Sequence, residues 1–387
     1  MTVRGAAVIV GAYEHPQRVI PDGSVAGVVS DVVHGALADA GLGIDHVDGF
    51  FYAGVHQGIP LVAMADHLGL GALSYYDSTD TGGASYVTQI GHAAMAIAAG
   101  KCSVALVAMG GLPRSQPRGP AGGGAPQSPF EDVYGLTQPA AYGLAAQRHM
   151  HEFGTTAAQL AAVRVAAAHH AQYNPHALLR TPVTVEQVLD SPLISDPLHR
   201  LDCCVTTDGG GAVVLVAPEV ARDLPRRGVR VLGHGEAVRT PGIGRIDLTT
   251  SAAAGSGPRA LEEARVSVAD IDMVSLYDSF TITVLITLED LGFCKKGDGG
   301  RFVEDGALLA PHGRLPFNTD GGGLCNNHPD RRGGMIRTIE AVRQLRGEAA
   351  PEVQVPDCEL ALVQGQGHSL GTRSAAATLI LGREDVR

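Results

Sequence analysis

The sequence predicts an α/β protein built on a sheet that is covered on both faces. Short apolar runs alternate along the chain with longer segments of helical spacing. The strand-like runs, such as residues 103–109 (SVALVAM), lack the polar alternation of a half-exposed sheet. The composition is 45% hydrophobic and 18% charged, with 51 glycines in 387 residues, which suits a compact chain turned by glycine. That length allows a large core and two similar-sized layers or domains.

The elements follow in order. Residues 5–13 (GAAVIVGAY) form an apolar run ended by His15-Pro16 and read as a buried strand. Residues 24–40 carry helical spacing, with Gly41 as the stop. Residues 47–52 are a second strand, Tyr75-Tyr76 end a third, and 84–99 form a small-residue helix closed by Gly100. Residues 103–109 are the buried strand already quoted. Residues 110–129 are too rich in glycine and proline for a core element and read as a surface loop. From about 140 to 192 the pattern is helical, an excursion from the sheet, and 208–216 (DGGGAVVLV) return to it.

A charged, proline-containing junction at 222–227 precedes a restart of the pattern. Strands are expected at 229–232, 273–277, 360–364 and 376–381. Helices are expected to begin near Pro258, suited to a first turn, and to span 279–291 and 336–345. The predicted division is 1–222, with the excursion at about 111–202, and 228–387. The two parts share a strand–helix–strand rhythm without visible sequence likeness, so periodicity alone does not establish a duplication.

A formal charge of −11 argues against a general nucleic-acid binder. The six cysteines (Cys102, Cys203, Cys204, Cys294, Cys325 and Cys358) have no C-x-x-C spacing and no zinc pattern. No metal site is expected, and reduced thiols are. Neither a signal peptide nor a membrane span is evident, so the expectation is a cytoplasmic protein.

Three segments can carry chemistry, and each also has a purely structural reading. Tyr277-Asp278-Ser279-Phe280 sits where a strand ends and a helix begins. Asp278 or Ser279 can cap that helix, and Tyr277 projects from the strand end where α/β sheets place ligands. A lone tyrosine there is more often packing. Asn318 to Pro329 contains three consecutive glycines, Gly321, Gly322 and Gly323, before His328. Glycines permit close backbone approach, and a following helix can aim its N-terminus at a charged group. An ordinary turn is an equal reading. The third, 363–373 (VQGQGHSLGTR), follows a buried strand, and Gly365 and Gly367 can let backbone amides line a pocket. Taken alone it reads as a tight hairpin. Its G-x-S-x-G match at 367–371 lacks a following helix and a later histidine, and is read as chance.

Together these segments resemble the thiolase superfamily, specifically its sterol-carrier-protein-type, lipid-transfer-like branch. The resemblance covers nearly the whole chain. Asn174-Pro175, Ser191-Pro192, Asp196-Pro197-Leu198, Leu201-Asp202-Cys203 and Thr207-Asp208-Gly209 look like that branch's middle region. Tyr277-Asp278-Ser279-Phe280 matches the Asn-Glu-Ala-Phe or His-Asp-Cys-Phe box, Asn318 to Pro329 the Asn-x-x-Gly-Gly…Gly-His-Pro box, and Val363 to Gly367 the Cys-x-Gly-x-Gly box. The resemblance implies two similar βαβαβαββ halves packed as a five-layer α-β-α-β-α sandwich.

The departures from the pattern bear on chemistry. A thiolase presents its nucleophilic cysteine at a strand-to-helix junction that here reads Gly82-Gly83-Ala84-Ser85. Val363 stands where the acid/base cysteine belongs, Tyr277 replaces asparagine or histidine, and His328 is retained. An acyl-enzyme by the usual route is then impossible. The combination resembles the thiolase-like aldolases of steroid side-chain breakdown, which cleave a β-hydroxyacyl-CoA by a retro-aldol reaction. The implied catalytic residues are Tyr277 and His328, with Gly83, Gly322, Gly365 and Gly367 lining a backbone or oxyanion pocket. Which of the two moves which proton is not readable, and the second late tyrosine of the relatives is missing after Tyr277. No bound cofactor is implied, and coenzyme A enters as part of the substrate. A homodimer joined near residues 73–90 and a small zinc-ribbon and OB-fold partner are the family expectations. The competing readings are a divergent acyltransferase using Cys325 as alternative nucleophile, and a non-catalytic scaffold subunit.

Overall fold

The structure is a computed structural model that describes residues 2–54, 58–117, 132–135, 137–240, 247–329, 333–370 and 373–386. Much of the glycine-rich segment 110–129, Arg331 and Arg332, and Gly371 and Thr372 lie outside these residues. In chain order the main elements are β1 (Val8–Glu14), α1 (Val25–Ala40), β2 (Gly49–Phe51), β3 (Tyr75–Asp77), α2 (Ser85–Ala98) and β4 (Val104–Gly111). After β4 the chain leaves the sheet through α3 (Gln138–Phe153), α4 (Ala157–Ala171) and the hairpin of β5 (Leu193–Ser195) and β6 (Leu198–His199). It returns as β7 (Gly209–Val216), followed by β8 (Val229–Arg239), α5 (Ala253–Ala264), β9 (Met273–Leu276) and α6 (Thr281–Leu291). The last elements are α7 (Gly334–Arg346), β10 (Leu360–Ser369) and β11 (Arg373–Arg383).

Nine strands form one sheet in the order β3-β2-β4-β7-β1-β8-β11-β10-β9. The pairing senses reveal a duplication that the sequence hides. β2 pairs parallel with β4, β4 antiparallel with β7, and β7 antiparallel with β1. β9 pairs parallel with β10, β10 antiparallel with β11, and β11 antiparallel with β8. The two sets join through β1 and β8, with Val8 opposite Arg230 and Ile9 opposite Val229.

Alternation along the strands sorts the side chains into layers. On β7, Ala212, Val214 and Val216 pack outward with α1, while Val213 and Leu215 face a central layer containing α2 and α7. On the C-terminal strands, Ala361, Val363, Leu379 and Leu381 face the same central layer, and Leu362 and Ile380 face α5 and α6. The one continuous sheet thus packs its two halves on opposite sides of the central helices, so the layers run helix, sheet, helix, sheet, helix. This is why the strands read as apolar throughout: both faces are buried.

Two local expectations change. The helix expected to begin at Pro258 begins at Ala253, with Pro258 inside it, because Ser251 Oγ accepts the Ala253 N–H and starts the turn earlier. The expected capping of α6 by Asp278 or Ser279 is also absent. Its N-cap is Phe280, with no side-chain cap bond, and the Asp278 carboxylate is engaged elsewhere. By contrast, α1 is bounded as the sequence implies, with Ser24 accepting from Gly27 N and Gly41 left-handed at φ 72°. The late glycine-rich segment is the β10–β11 hairpin, from Leu360↔Gly382 to Ser369↔Arg373. Among the described residues, no helix is long and apolar enough to cross a membrane.

Candidate active site

The site forms where four segments converge: the turn before α2, the end of β9, the turn 322–326 with His328, and β10. Tyr277 leaves the end of β9 with its N–H bonded to the Gln364 carbonyl, 3.0 Å. Its phenol oxygen lies 2.8 Å from His328 Nε2, with the rings edge to face at 5.4 Å between centroids. The Gly333 N–H, at the N-terminus of α7, also bonds the phenol oxygen. Burial raises the phenol's pKa well above its ordinary value, and nearby Cys204, Tyr142 and Asp278 add to the rise. Tyr277 is therefore a neutral phenol at physiological pH.

Gly83 explains the missing cysteine in physical terms. A Cβ at position 83 would overlap the Gln366 carbonyl oxygen and lie 2.5 Å from Tyr277 Cζ and 2.6 Å from Cε2. The Tyr277 ring occupies the volume that a side chain at 83 would need, so the tyrosine and the glycine form one exchange. We predict that Gly83→Ala lowers stability by about 1–3 kcal/mol through overpacking and abolishes turnover by displacing Tyr277. Thermal unfolding and steady-state kinetics check this. A stable, active Gly83→Ala protein would contradict the assigned packing.

The glycine turn is held by Asp278. Its Oδ1 accepts the Gly323 N–H at 2.7 Å and its Oδ2 the Leu324 N–H at 3.1 Å. Burial raises this carboxyl's pKa, while Arg337 and the two amides pull the other way. Gly322 sits at φ 64°, where an added Cβ would overlap Asp278 Oδ2. Its N–H is donated to Asp320 Oδ1 at 3.0 Å. Gly322 thus admits Asp278, and its amide serves Asp320. Gly365 and Gly367 let β10 approach the turn before α2: side chains there would press on Ala84 and Val87, and on the Thr81 carbonyl, respectively.

Cys325 is fully buried in the apolar cluster with Leu324 and Phe317, and burial pushes its thiol up to about 12. That is the opposite of activation. Val363, placed by sequence at the acid/base position, faces the central apolar layer instead. Burial also raises the thiols of Cys102, Cys203, Cys204, Cys294 and Cys358. None is a ready nucleophile.

Sequence reasoning noted 201–209 only as a family likeness and assigned it no role in the site, yet 203–208 ties the site together. Cys204 N–H bonds the Ser279 carbonyl and Val205 N–H the Gly323 carbonyl, both at 2.9 Å. Thr207 Oγ1 accepts the His328 N–H at 2.9 Å. Tyr142 of α3 stacks on Phe280 at 4.4 Å and bonds the His368 carbonyl at 3.2 Å, bringing a second tyrosine to the site from the middle of the chain. The doublet Cys203-Cys204 beside Thr207-Asp208 was visible as a motif, but its partners lie far downstream, up to 121 residues away.

The chain is 34% identical over 378 residues to an acetyl-CoA acetyltransferase of Methanothermobacter thermautotrophicus, covering 94% of this chain and 95% of that one. The chain belongs to the thiolase superfamily. A family described as "Thiolase C-terminal domain-like" matches residues 235–383. This thiolase-superfamily chain is also 34% identical over 373 residues to a steroid side-chain-cleaving aldolase of Thermomonospora curvata, covering 92% of each. Among solved structures, an Ltp2-ChsH2(DUF35) aldolase matches with a TM-score of 0.89 and 32% identity, over 100% of both chains. Within the superfamily the chain falls in the sterol-carrier-protein-type branch, with glycine at the nucleophile position.

Proposed function

We propose that this protein is a thiolase-like aldolase, a carbon–carbon lyase that cleaves a β-hydroxyacyl-CoA without a covalent intermediate. The carrying observation is the Tyr277 ring filled in over Gly83, with its hydroxyl on His328. In the retro-aldol step a base takes the β-hydroxyl proton and the Cβ–O bond becomes a carbonyl. The Cα–Cβ electron pair passes into the thioester, forming its enolate, and Cα then takes a proton. Balance requires one proton acceptor, one donor, and hydrogen bonds to the enolate oxygen. The Tyr277–His328 pair supplies proton movement, and the positive end of α7 at Gly333 favours the developing negative charge. Coenzyme A is part of the substrate. Similarity to the steroid side-chain-cleaving aldolase supports a steroid-derived acyl group.

The acetyltransferase relative favours the competing thiolase reading, which needs a thiolate. The raised cysteine thiols and the occupied space at position 83 count against it. A second chain is part of the proposal, supported by the similarity to the Ltp2-ChsH2(DUF35) aldolase, and a small zinc-ribbon and OB-fold protein is the expected type. A homodimer is proposed through β3, an edge strand whose Tyr76 is exposed.

The test pairs two measurements. Incubation with a steroid β-hydroxyacyl-CoA, with and without the partner, is expected to release a shortened acyl-CoA and a carbonyl product. Intact-protein mass after exposure to acyl-CoA is expected to stay unchanged. Acylation of Cys325 or another cysteine overturns the lyase reading in favour of acyl transfer. Absence of cleavage even with the partner present favours a scaffold subunit.

A further inference from the structure

We infer that Thr207 is a positioning residue for His328, at the end of a polarised hydrogen-bond chain that starts at Glu14. This rests on the retro-aldol reading for its kinetic consequence, but the chain itself stands on geometry.

Glu14, at the end of β1, is buried, yet its pKa is lowered. Burial and nearby Asp320 push it up, and Arg18, Arg343 and the Asn327 hydrogen bond bring it down. Arg18 Nη2 lies 2.7 Å from Glu14 Oε1, and Arg343 Nη2 lies 2.9 Å from Oε2. An ionised carboxylate only accepts hydrogen bonds. The Asn327 amide 2.8 Å from Oε1 must therefore present its Nδ2 to Glu14. That orientation turns Asn327 Oδ1 toward Thr207, whose hydroxyl lies 2.6 Å away and must donate. Thr207 Oγ1 is then left as the acceptor for the His328 backbone N–H at 2.9 Å. Each link dictates the direction of the next, so neither the Asn327 amide nor the Thr207 hydroxyl can turn over without losing a buried bond.

The effect falls on one place. Thr207 and Asn327 are fully buried, and Thr207 also bridges to Pro329 in parallel fashion. The proline restricts His328 to extended backbone. His328 is thus held at its N–H by Thr207 and on its other side by Pro329 against the same residue. The Tyr277 hydroxyl in turn engages the ring at Nε2. The chain spans more than 300 residues of sequence from Glu14 to His328 and joins the first strand to the catalytic turn.

Thr207→Val keeps the shape and removes both bonds; Thr207→Ser keeps both bonds and removes a methyl group. The expected result is that Val lowers kcat on the order of 10²-fold, the cost of a misplaced reacting group, with KM unchanged, and that Ser restores most of the rate. In the substrate-free protein, the His328 ring NMR signals, assigned with His328→Gln, are expected to shift in Val and stay in place in Ser. Equal loss in both variants, or unchanged ring signals in a folded Val variant, overturns the inference. The ring signals do not depend on any substrate, so failure of the retro-aldol reading would show as a wild-type protein without turnover and a Val-specific spectral shift.

Discussion

Tyr277→Phe is expected to lower kcat by about 10²- to 10⁴-fold, the range for removing a positioned acid–base group, while the fold survives. Phenylalanine keeps the ring that fills the space over Gly83 and removes only the oxygen 2.8 Å from His328 Nε2. Loss of that buried partner costs stability on the order of 1–3 kcal/mol. Steady-state kinetics and thermal unfolding separate the two effects. A second expectation comes from the phenol's pKa, which burial raises well above its ordinary value. The neutral form is favoured in the folded protein, so this contribution is intact below about pH 10, the ordinary tyrosine value. It is lost as pH rises through the folded value. The wild-type unfolding free energy should therefore fall more steeply than that of Tyr277→Phe above pH 10. Parallel curves, or a Phe variant with full kcat, would remove Tyr277 from the proposed chemistry.

Arg337→Met should destabilise the protein by about 3–5 kcal/mol, the cost of breaking a buried ion pair from one side. Arg337 and Asp320 are both buried and paired at 2.7 Å through two parallel bonds. Asp320 also accepts from Gly322 N and Asn326 Nδ2, so it braces the turn that leads to His328. Although burial disfavours its charge, Arg337 holds its carboxyl well below the usual carboxylate range. With methionine in place, a buried carboxylate would face that turn without its counter-charge. Denaturant midpoints should drop sharply, and Asp320→Asn combined with Arg337→Met should recover part of the loss, because the stranded charge is gone. A single variant with wild-type midpoint would show the pair to be energetically idle.

Much of this site was legible before any coordinates. Tyr277 and His328 stood in boxes whose order along the chain implied convergence, and the structure places them in contact. The division of labour among the surrounding residues was not legible. Asp278 looked like a helix cap because it precedes α6, yet it reaches 45 and 46 residues along to the amides of Gly323 and Leu324. Gly322 looked like an amide donor, yet its amide serves Asp320. Cys325 lay three residues from His328 in sequence, but its place in the turn directs it into the apolar core. Val363 points to the central layer by the alternation of β10, whose phase depends on its partners in the sheet.

By itself the sequence determined the alternating α/β architecture, the helix stop at Gly41, and the loss of a side chain at position 83. Those signals are local: apolar period, turn chemistry and residue identity act within a few positions. Only the tertiary structure decided that Tyr277 fills the space over Gly83, that the six thiols are raised by burial, and that Glu14 reaches His328 through Asn327 and Thr207. These depend on desolvation and on contacts between segments far apart in the chain, and both are set only when the layers close around them.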